Sequence, residues 1–271
     1  MKFGIREICD VVLKAKANIT VGNKEFAEGA PVIYFDSLKT STLEGAATTV
    51  YAQGGKGNSR LIAWEGERTV TFTMEDALIS EMGLAVLTGA GLIEADDDAV
   101  IYQHIAERIV ADTSGTVKLS YTPSDKGDVY LMELDKYDSI VSTTEATPSG
   151  KEITGTKDKV YLVDYYTERT SGAKQIEITP DKFGGNFYLE ASTLFRNTDG
   201  VDMPAEFIIP NCKIQSNFTF SMASSGDPST FTFTMDAFPD YTKFDKTKKV
   251  LSVIQIIEED DEPKTTTNTE E

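Results

Sequence analysis

The chain has 271 residues, of which 40% are hydrophobic and 26% charged, a composition typical of a folded rather than a disordered protein. It carries 44 acidic and 26 basic residues, so its net charge is −18, of which −6 lies in residues 258–271 and −12 in the remainder. Such an acidic surface repels phosphate groups, which argues against gripping a duplex or reading its sequence but does not exclude a surface past which DNA slides without sticking. No apolar run approaches the roughly 20 residues needed to cross a bilayer, so we expect no membrane partner.

The first 60 residues divide into a strand region and a segment of small side chains. Residues 3–35 predict two strands around a turn at Val21–Lys24, the second of them at Pro31–Phe35. Residues 36–60 are rich in Thr, Ser, Ala and Gly and include the run Gly54–Asn58. A connection of this length in a compact domain is usually functional or mobile. We therefore predict a long loop here, with glycines that permit positive φ and close backbone approach.

The next segment predicts a strand followed by the only helix of the chain. Residues 67–74 alternate Thr with large apolar side chains, which indicates a strand with one buried face. Thr73 and Asp76 are spaced as in a capping box, so we predict that a helix begins there and runs to about Thr88. Gly89 follows as the expected stop signal.

The second half of the chain predicts short strands and then longer ones. Residues 112–171 combine short strands with polar and glycine-containing turns, which indicates a small inserted β module. The alternation in Cys212–Asp236 predicts a hairpin that turns at Ser224–Pro228. The similarity of Val70–Ala77 to Phe231–Phe238 reflects either pseudo-symmetric strands or convergence on alternating Thr and apolar residues.

Together these segments predict a mainly β fold. We expect an antiparallel β-sandwich or barrel with one amphipathic α-helix and an inserted small β module. The predicted sandwich is discontinuous and takes residues 1–111 and 172–257, while residues 112–171 form the module. Residues 258–271 are acidic, Thr-rich and almost free of apolar side chains, so we predict a disordered acidic tail.

No motif in the sequence indicates catalysis. Gly54–Ser59 lacks the Ser or Thr after its lysine and the following helix that a phosphate-binding loop requires. Asp96–Asp98 lacks EF-hand spacing, and His104 has no nucleophile motif to serve. Cys9 and Cys212 are too few for a disulfide framework, and buried free thiols are the expected state. We predict no catalytic residue, no cofactor and no metal site.

Two stretches carry a resemblance to a known family. The first is Glu44–Asn58 leading to Ala63–Arg68, and the second is Ile209–Ser216 followed by Ser224–Thr230. With the order of the predicted elements, they make the chain similar to the tail tube proteins, or major tail proteins, of long-tailed bacteriophages. The resemblance covers roughly residues 1–111 and 172–257. It lies in the local residue patterns and in the order of the predicted elements, not in a catalytic motif.

The resemblance implies a structural virion protein rather than an enzyme. Subunits of that family form hexameric rings whose strands close a barrel around a lumen, and the rings stack into a tube that conducts DNA without binding it specifically. It also implies a location in the virion tail, assembly in the host cytoplasm, and contact surfaces for sheath, tape-measure and baseplate proteins. The long loop would be the assembly element, with these interface residues: Glu44, Gly45, Tyr51, Gly54, Gly55, Lys56, Gly57, Asn58 and Arg60.

Two other functions are compatible with the sequence. The chain could serve as another virion component, such as a capsid decoration, neck, terminator or baseplate hub protein. It could also be an adhesive or carbohydrate-binding β-sandwich. Assembly into hollow tubes would favour the tail tube, whereas sugar-dependent binding by a monomer would favour the adhesin.

Overall fold

The computed structural model describes residues 2–5, 7–222, 224–225 and 229–257. These residues are mainly β, with antiparallel sheets and one short helix, which confirms the predicted fold class. The predicted tail at 258–271 and part of the predicted turn, residues 226–228, lie outside the described residues. The elements are β1 Phe3–Ile5, β2 Asp10–Ala15, β3 Ile19–Val21, β4 Lys24–Phe26, β5 Pro31–Phe35, β6 Leu38–Gly54, β7 Ser59–Asp76, α1 Glu81–Thr88, β8 Gly91–Glu94, β9 Ile101–Val110, β10 Thr116–Lys118, β11 Tyr130–Leu134, β12 Ile140–Glu145, β13 Glu152–Thr154, β14 Val160–Arg169, β15 Lys174–Glu177, β16 Asn186–Asn197, β17 Asp202–Ile214, β18 Phe231–Ala237 and β19 Val253–Ile256.

The chain divides into two compact units. The main unit comprises Met1–Leu92 and Ile176–Glu271, and the second unit comprises Ile93–Gln175. The second unit begins earlier than the module boundary at residue 112, because β9 pairs along its whole length with β14. Its sheet has the order β12-β11-β14-β9 and encloses its own core, which includes Val117, Val163 and Tyr165.

A nine-stranded antiparallel sheet organises the main unit. Its strand order is β5-β2-β16-β17-β18-β7-β6, with β1 also paired to β16 and β19 to β17. Period-two alternation places Leu189, Ala191 and Phe195 of β16 in the core, while their neighbours along the strand face away from it. The similar segments at 70–77 and 231–238 lie side by side, since β7 pairs with β18 from Thr71 to Asp76.

The helix begins later than the sequence predicts. Thr73 and Asp76 belong to β7, and the predicted capping box is wrong because these residues continue the alternation and pair with both β6 and β18. The helix is capped by Ser80, whose Oγ accepts a hydrogen bond from the Gly83 amide at 2.9 Å. The predicted stop at Gly89 is confirmed, because this residue adopts a left-handed φ of 68° just past the helix.

The predicted hairpin at 212–236 is only partly correct. β17 and β18 pair over just three rungs, Cys212–Ile214 with Met235–Ala237, and no described residue from 215 to 230 is in a strand. The alternating aromatic residues instead contact one another: the Phe220 ring lies 5.7 Å from that of Phe218 and 5.3 Å from that of Phe231. The alternation predicted a strand-like spacing of these aromatic residues. It could not show whether a partner strand would pair with them.

The two cysteines are free and buried, as expected. Burial raises the pKa of the Cys212 thiol to about 12, so this side chain stays protonated at neutral pH. Among the described residues, no helix is long and apolar enough to span a bilayer.

Candidate assembly surface

The predicted loop at residues 36–60 is instead one strand of a long β-hairpin. β6 and β7 pair in antiparallel register from Leu38 and Asp76 to Gly54 and Ser59, so only Gly55–Asn58 connects them. The loop prediction failed because it relied on the abundance of small residues. The Thr, Val and Tyr side chains between them favour an extended backbone, and a two-stranded ladder needs no bulky core side chains to satisfy its hydrogen bonds.

The outer part of this hairpin, residues 44–69, is called the distal hairpin here. β18 pairs with β7 only from Thr71 to Asp76, so the first twelve residues of β7 have β6 as their strand neighbour. At about 3.3 Å per residue, twelve residues extend for roughly 40 Å. No residue from 44 to 69 is buried. The distal hairpin therefore projects from the core as a ribbon.

The tip of the distal hairpin requires residues that tolerate left-handed backbone. Gly55, Gly57 and Asn58 have φ values of 79°, 89° and 49°. The Asn58 amide donates to the Gly55 carbonyl at 3.2 Å, and the Asn58 side-chain amide donates to Gln53 Oε1 at 3.3 Å. Three of the candidate interface residues thus define the turn, and Lys56 lies between them.

One face of the distal hairpin is apolar. Val50 is paired directly with Trp64, and Ala52 with Ile62, so these four side chains share a face and are called the apolar face here. Val50, Ile62 and Trp64 retain 61%, 54% and 52% of their accessible surface. On the opposite face, the Arg60 guanidinium lies 4.1 Å from the centroid of the Tyr51 ring.

The base of the hairpin is fixed to the core. Asp76, at the end of β7, is buried and accepts a hydrogen bond from Ser37 Oγ at 2.5 Å and one from the Leu78 amide at 3.2 Å. Phe72 and Met74 of the same strand lie in the main core. The direction of the ribbon is therefore determined by packing and hydrogen bonds at its base.

All nine candidate interface residues lie on the distal hairpin or its turn. The residues that sequence analysis did not single out are Val50, Ile62 and Trp64, the large side chains of the apolar face. The sequence pattern that could have identified these residues is the alternation on both sides of Gly54–Asn58. This pattern predicts a shared face only if the segment is interpreted as a hairpin with Val50 opposite Trp64.

The other candidate chemistry has local structural partners. His104 Nε2 lies 2.7 Å from Asp164 Oδ2 on the surface, and Asp96 Oδ1 accepts hydrogen bonds from the amides of Asp98 and Ala99. Within the part of the chain that the structure describes, no three His, Cys, Asp or Glu side chains are grouped to hold a metal ion.

The fold defines a β-rich protein whose distal hairpin leaves the edge of β6 and an apolar face exposed. A family model described as the YomU/Tube protein family matches residues 3–253, so the chain belongs to that family. This confirms the resemblance to phage tail tube proteins and indicates a structural component of the virion tail that associates with itself. The matched range includes the second unit, and no curated protein matched the chain.

Substitutions at two positions of β7 test whether the distal hairpin is independent of the core. We expect Trp64→Ser to change the free energy of unfolding of the unassembled chain by no more than about 0.5 kcal/mol, because its side chain contacts no core residue. Phe72→Ala on the same strand should cost about 3–5 kcal/mol, because it leaves a cavity in the core. Urea unfolding measures both values, and a comparable loss for the two variants would contradict the assignment.

Proposed function

We propose that this chain is a tail tube subunit that forms six-fold rings, and that the rings stack into a tube through which DNA passes without specific binding. The observation that carries the proposal is the distal hairpin, with its solvent-exposed apolar face and the strand edge of β6. Membership of the YomU/Tube family supports it. The proposed role is structural, and it includes contacts with tape-measure, baseplate and, where present, sheath proteins.

The strand order of the main sheet supports ring closure. The path ends in β5 on one side and in β6 on the other, and among the described strands β6 pairs with β7 only. Exposed edges are liable to pair with other chains, and closure into a barrel removes them. Head-to-tail contacts that repeat around a rotation axis produce a ring, in which each subunit contributes two different edges. The six-fold number rests on the family resemblance.

The distal hairpin is suited to bridge subunits. It extends for roughly 40 Å, comparable to the span of a small domain, so it reaches a neighbouring subunit or ring. Burying an exposed Val, Ile or similar side chain stabilises a contact by about 1.5–3 kcal/mol. Val50, Ile62 and Trp64 therefore provide a favourable term that repeats in every subunit of a ring, while the β6 edge adds backbone hydrogen bonds.

The charge of the two units bears on how DNA would pass. The second unit has 16 acidic and 9 basic residues, for a net −7, whereas the main unit without residues 258–271 has 21 acidic and 16 basic residues, for a net −5. We propose that the second unit lies on the outside of the tube and that acidic residues of the main unit face the channel. Repulsion over a Debye length of about 8–10 Å then keeps the phosphates away from the wall.

A shortened hairpin tests the proposed assembly element. We expect replacement of residues 49–65 by Asn-Gly to leave a folded, soluble chain that forms no tubes, because Thr48 and Gly66 are already adjacent and the core strands are untouched. Negative-stain microscopy and light scattering measure assembly, and circular dichroism checks the fold. The matched control is Lys136→Ala in the second unit, which leaves the whole distal hairpin intact and should still assemble. Tubes formed by the shortened chain would contradict the proposal.

A reconstruction of the tube tests the proposed channel. We expect Asp and Glu to outnumber Lys and Arg among the residues that face the channel, with the second unit on the outer surface. Lys14 and Lys16 are ion-paired to Glu190 and Asp240, so these lysines contribute little net positive charge wherever they face. A channel lined mainly by Lys14, Lys16 and Lys213, or occupied by the second unit, would contradict the electrostatic proposal even if the tube itself forms.

A further inference from the structure

A hydrogen-bonded loop between β18 and β19 concentrates positive charge on this acidic protein. Residues Asp240–Val250, called the lysine loop here, are closed by reciprocal backbone hydrogen bonds between Asp240 and Val250 at 3.1 and 2.8 Å. Inside the loop, the Asp245 amide donates to Thr242 Oγ1 at 3.0 Å and the Thr247 amide donates to Asp245 Oδ1 at 2.8 Å. These bonds give the loop a defined turn structure on the main unit.

The lysine loop presents a net positive charge to solvent. The loop contains four lysines and two aspartates. One of the aspartates, Asp240, already forms an ion pair with Lys16, whose Nζ lies 2.8 Å from Asp240 Oδ2. All four lysines are exposed, and none of them is within 4 Å of a carboxylate among the described ion pairs; Lys249 Nζ lies 5.5 Å from the centroid of the Tyr241 ring. Phe244 of the same loop has 91% of its surface exposed. This surface fits an acidic partner segment.

The chain itself contains such a segment. Residues 258–271 include seven acids and one lysine, and five of those acids occupy the first five positions, Glu258–Glu262. The described chain leads into this segment from β19, where the Ile257 amide donates to the Pro204 carbonyl at 2.8 Å. The acids thus follow directly after the described part of the main sheet.

The acidic segment and the lysine loop leave the sheet near opposite ends of β17. The acidic segment follows the contact at Pro204, whereas the lysine loop follows β18 after the Phe238 amide donates to the Asn211 carbonyl at 2.8 Å. Seven residues of strand separate these two points, or roughly 23 Å. Even fully extended, the five acids at 258–262 reach only roughly 17 Å past Ile257, which is less than this separation. The lysine loop of another copy is not subject to this limit.

We propose that residues 258–271 of one copy bind the lysine loop of a neighbouring copy. The proposal rests on the self-association proposed above and adds an electrostatic contact between copies to the apolar contact of the distal hairpin. Each exposed ion pair contributes little by itself, but several acids opposite several lysines act together, and the repeat of the contact along a tube adds avidity. The contact is therefore sensitive to salt.

The first experiment measures recognition separately from tube formation. A fluorescent peptide with the sequence of residues 258–271 is titrated with the chain ended after Ile257, and its anisotropy is recorded at low ionic strength. We expect saturable binding that weakens about tenfold or more in the variant Lys246→Glu, Lys248→Glu, Lys249→Glu and fades near 0.5 M salt, where the Debye length is only about 4 Å. The matched control reverses three exposed lysines of the second unit, Lys118, Lys136 and Lys157, and should bind as the parent does. Absence of binding by the parent, or equal binding by both variants, overturns the proposal.

The second experiment identifies which copy is bound. Full-length chains labelled with ¹⁴N and ¹⁵N are mixed, assembled and treated with a carbodiimide, which joins a lysine to an adjacent carboxylate. We expect peptides of the lysine loop linked to residues 258–262, about half of the pairs joining one light and one heavy chain. Links confined to chains of one isotope overturn the contact between copies. If peptide binding is found but microscopy shows no tubes, the tube proposal fails while recognition of the acidic segment stands.

Discussion

The structure depends on the continuous backbone ladder of β7. Its last six residues pair with β18 and β6 and place Phe72 and Met74 in the core, while its first eleven, residues 59–69, form the distal hairpin with β6. Because one unbroken strand serves both regions, the packing of the core also determines where the hairpin points. Asp76, buried and hydrogen-bonded to Ser37 and to the Leu78 amide, fixes the end of that strand. A flexible loop of equal length would lose much more conformational entropy on binding a neighbour.

This arrangement leaves an apolar face and a strand edge exposed in the isolated chain. A two-stranded ribbon is marginal in water, and here it also exposes Val50, Ile62 and Trp64 on one face. In the proposed assembly, contact with a second surface would remove that apolar area from water and would satisfy the edge of β6 at the same time. The nonspecific apolar contact and the directional edge pairing would be complementary, because the first would supply free energy and the second would fix the register. The lysine loop and the acidic segment would add a third contact, which salt controls independently.

The sequence was sufficient wherever a local pattern determined the structure by itself. The alternation at 67–74, the glycine stop at Gly89 and the free thiols were all predicted correctly. The distal hairpin was missed because its small residues resembled a loop and because it has no buried face to impose strong alternation. The start of the helix was misplaced because Thr73 and Asp76 fit a capping box locally, whereas strand pairing on both sides outweighed that preference. The aromatic run after Ile214 had strand periodicity but lacked a partner strand.

The most direct measurement of the central claim uses the single tryptophan of the chain, which lies on the apolar face. Trp64 is half exposed in the isolated subunit, so its fluorescence should be quenched readily by acrylamide at concentrations where light scattering shows a monomer. If the apolar face binds a neighbour, assembly should shift the emission to shorter wavelength and reduce the quenching constant several-fold, in step with the growth of scattering. Assembly that leaves both the emission and the quenching of Trp64 unchanged would contradict the account.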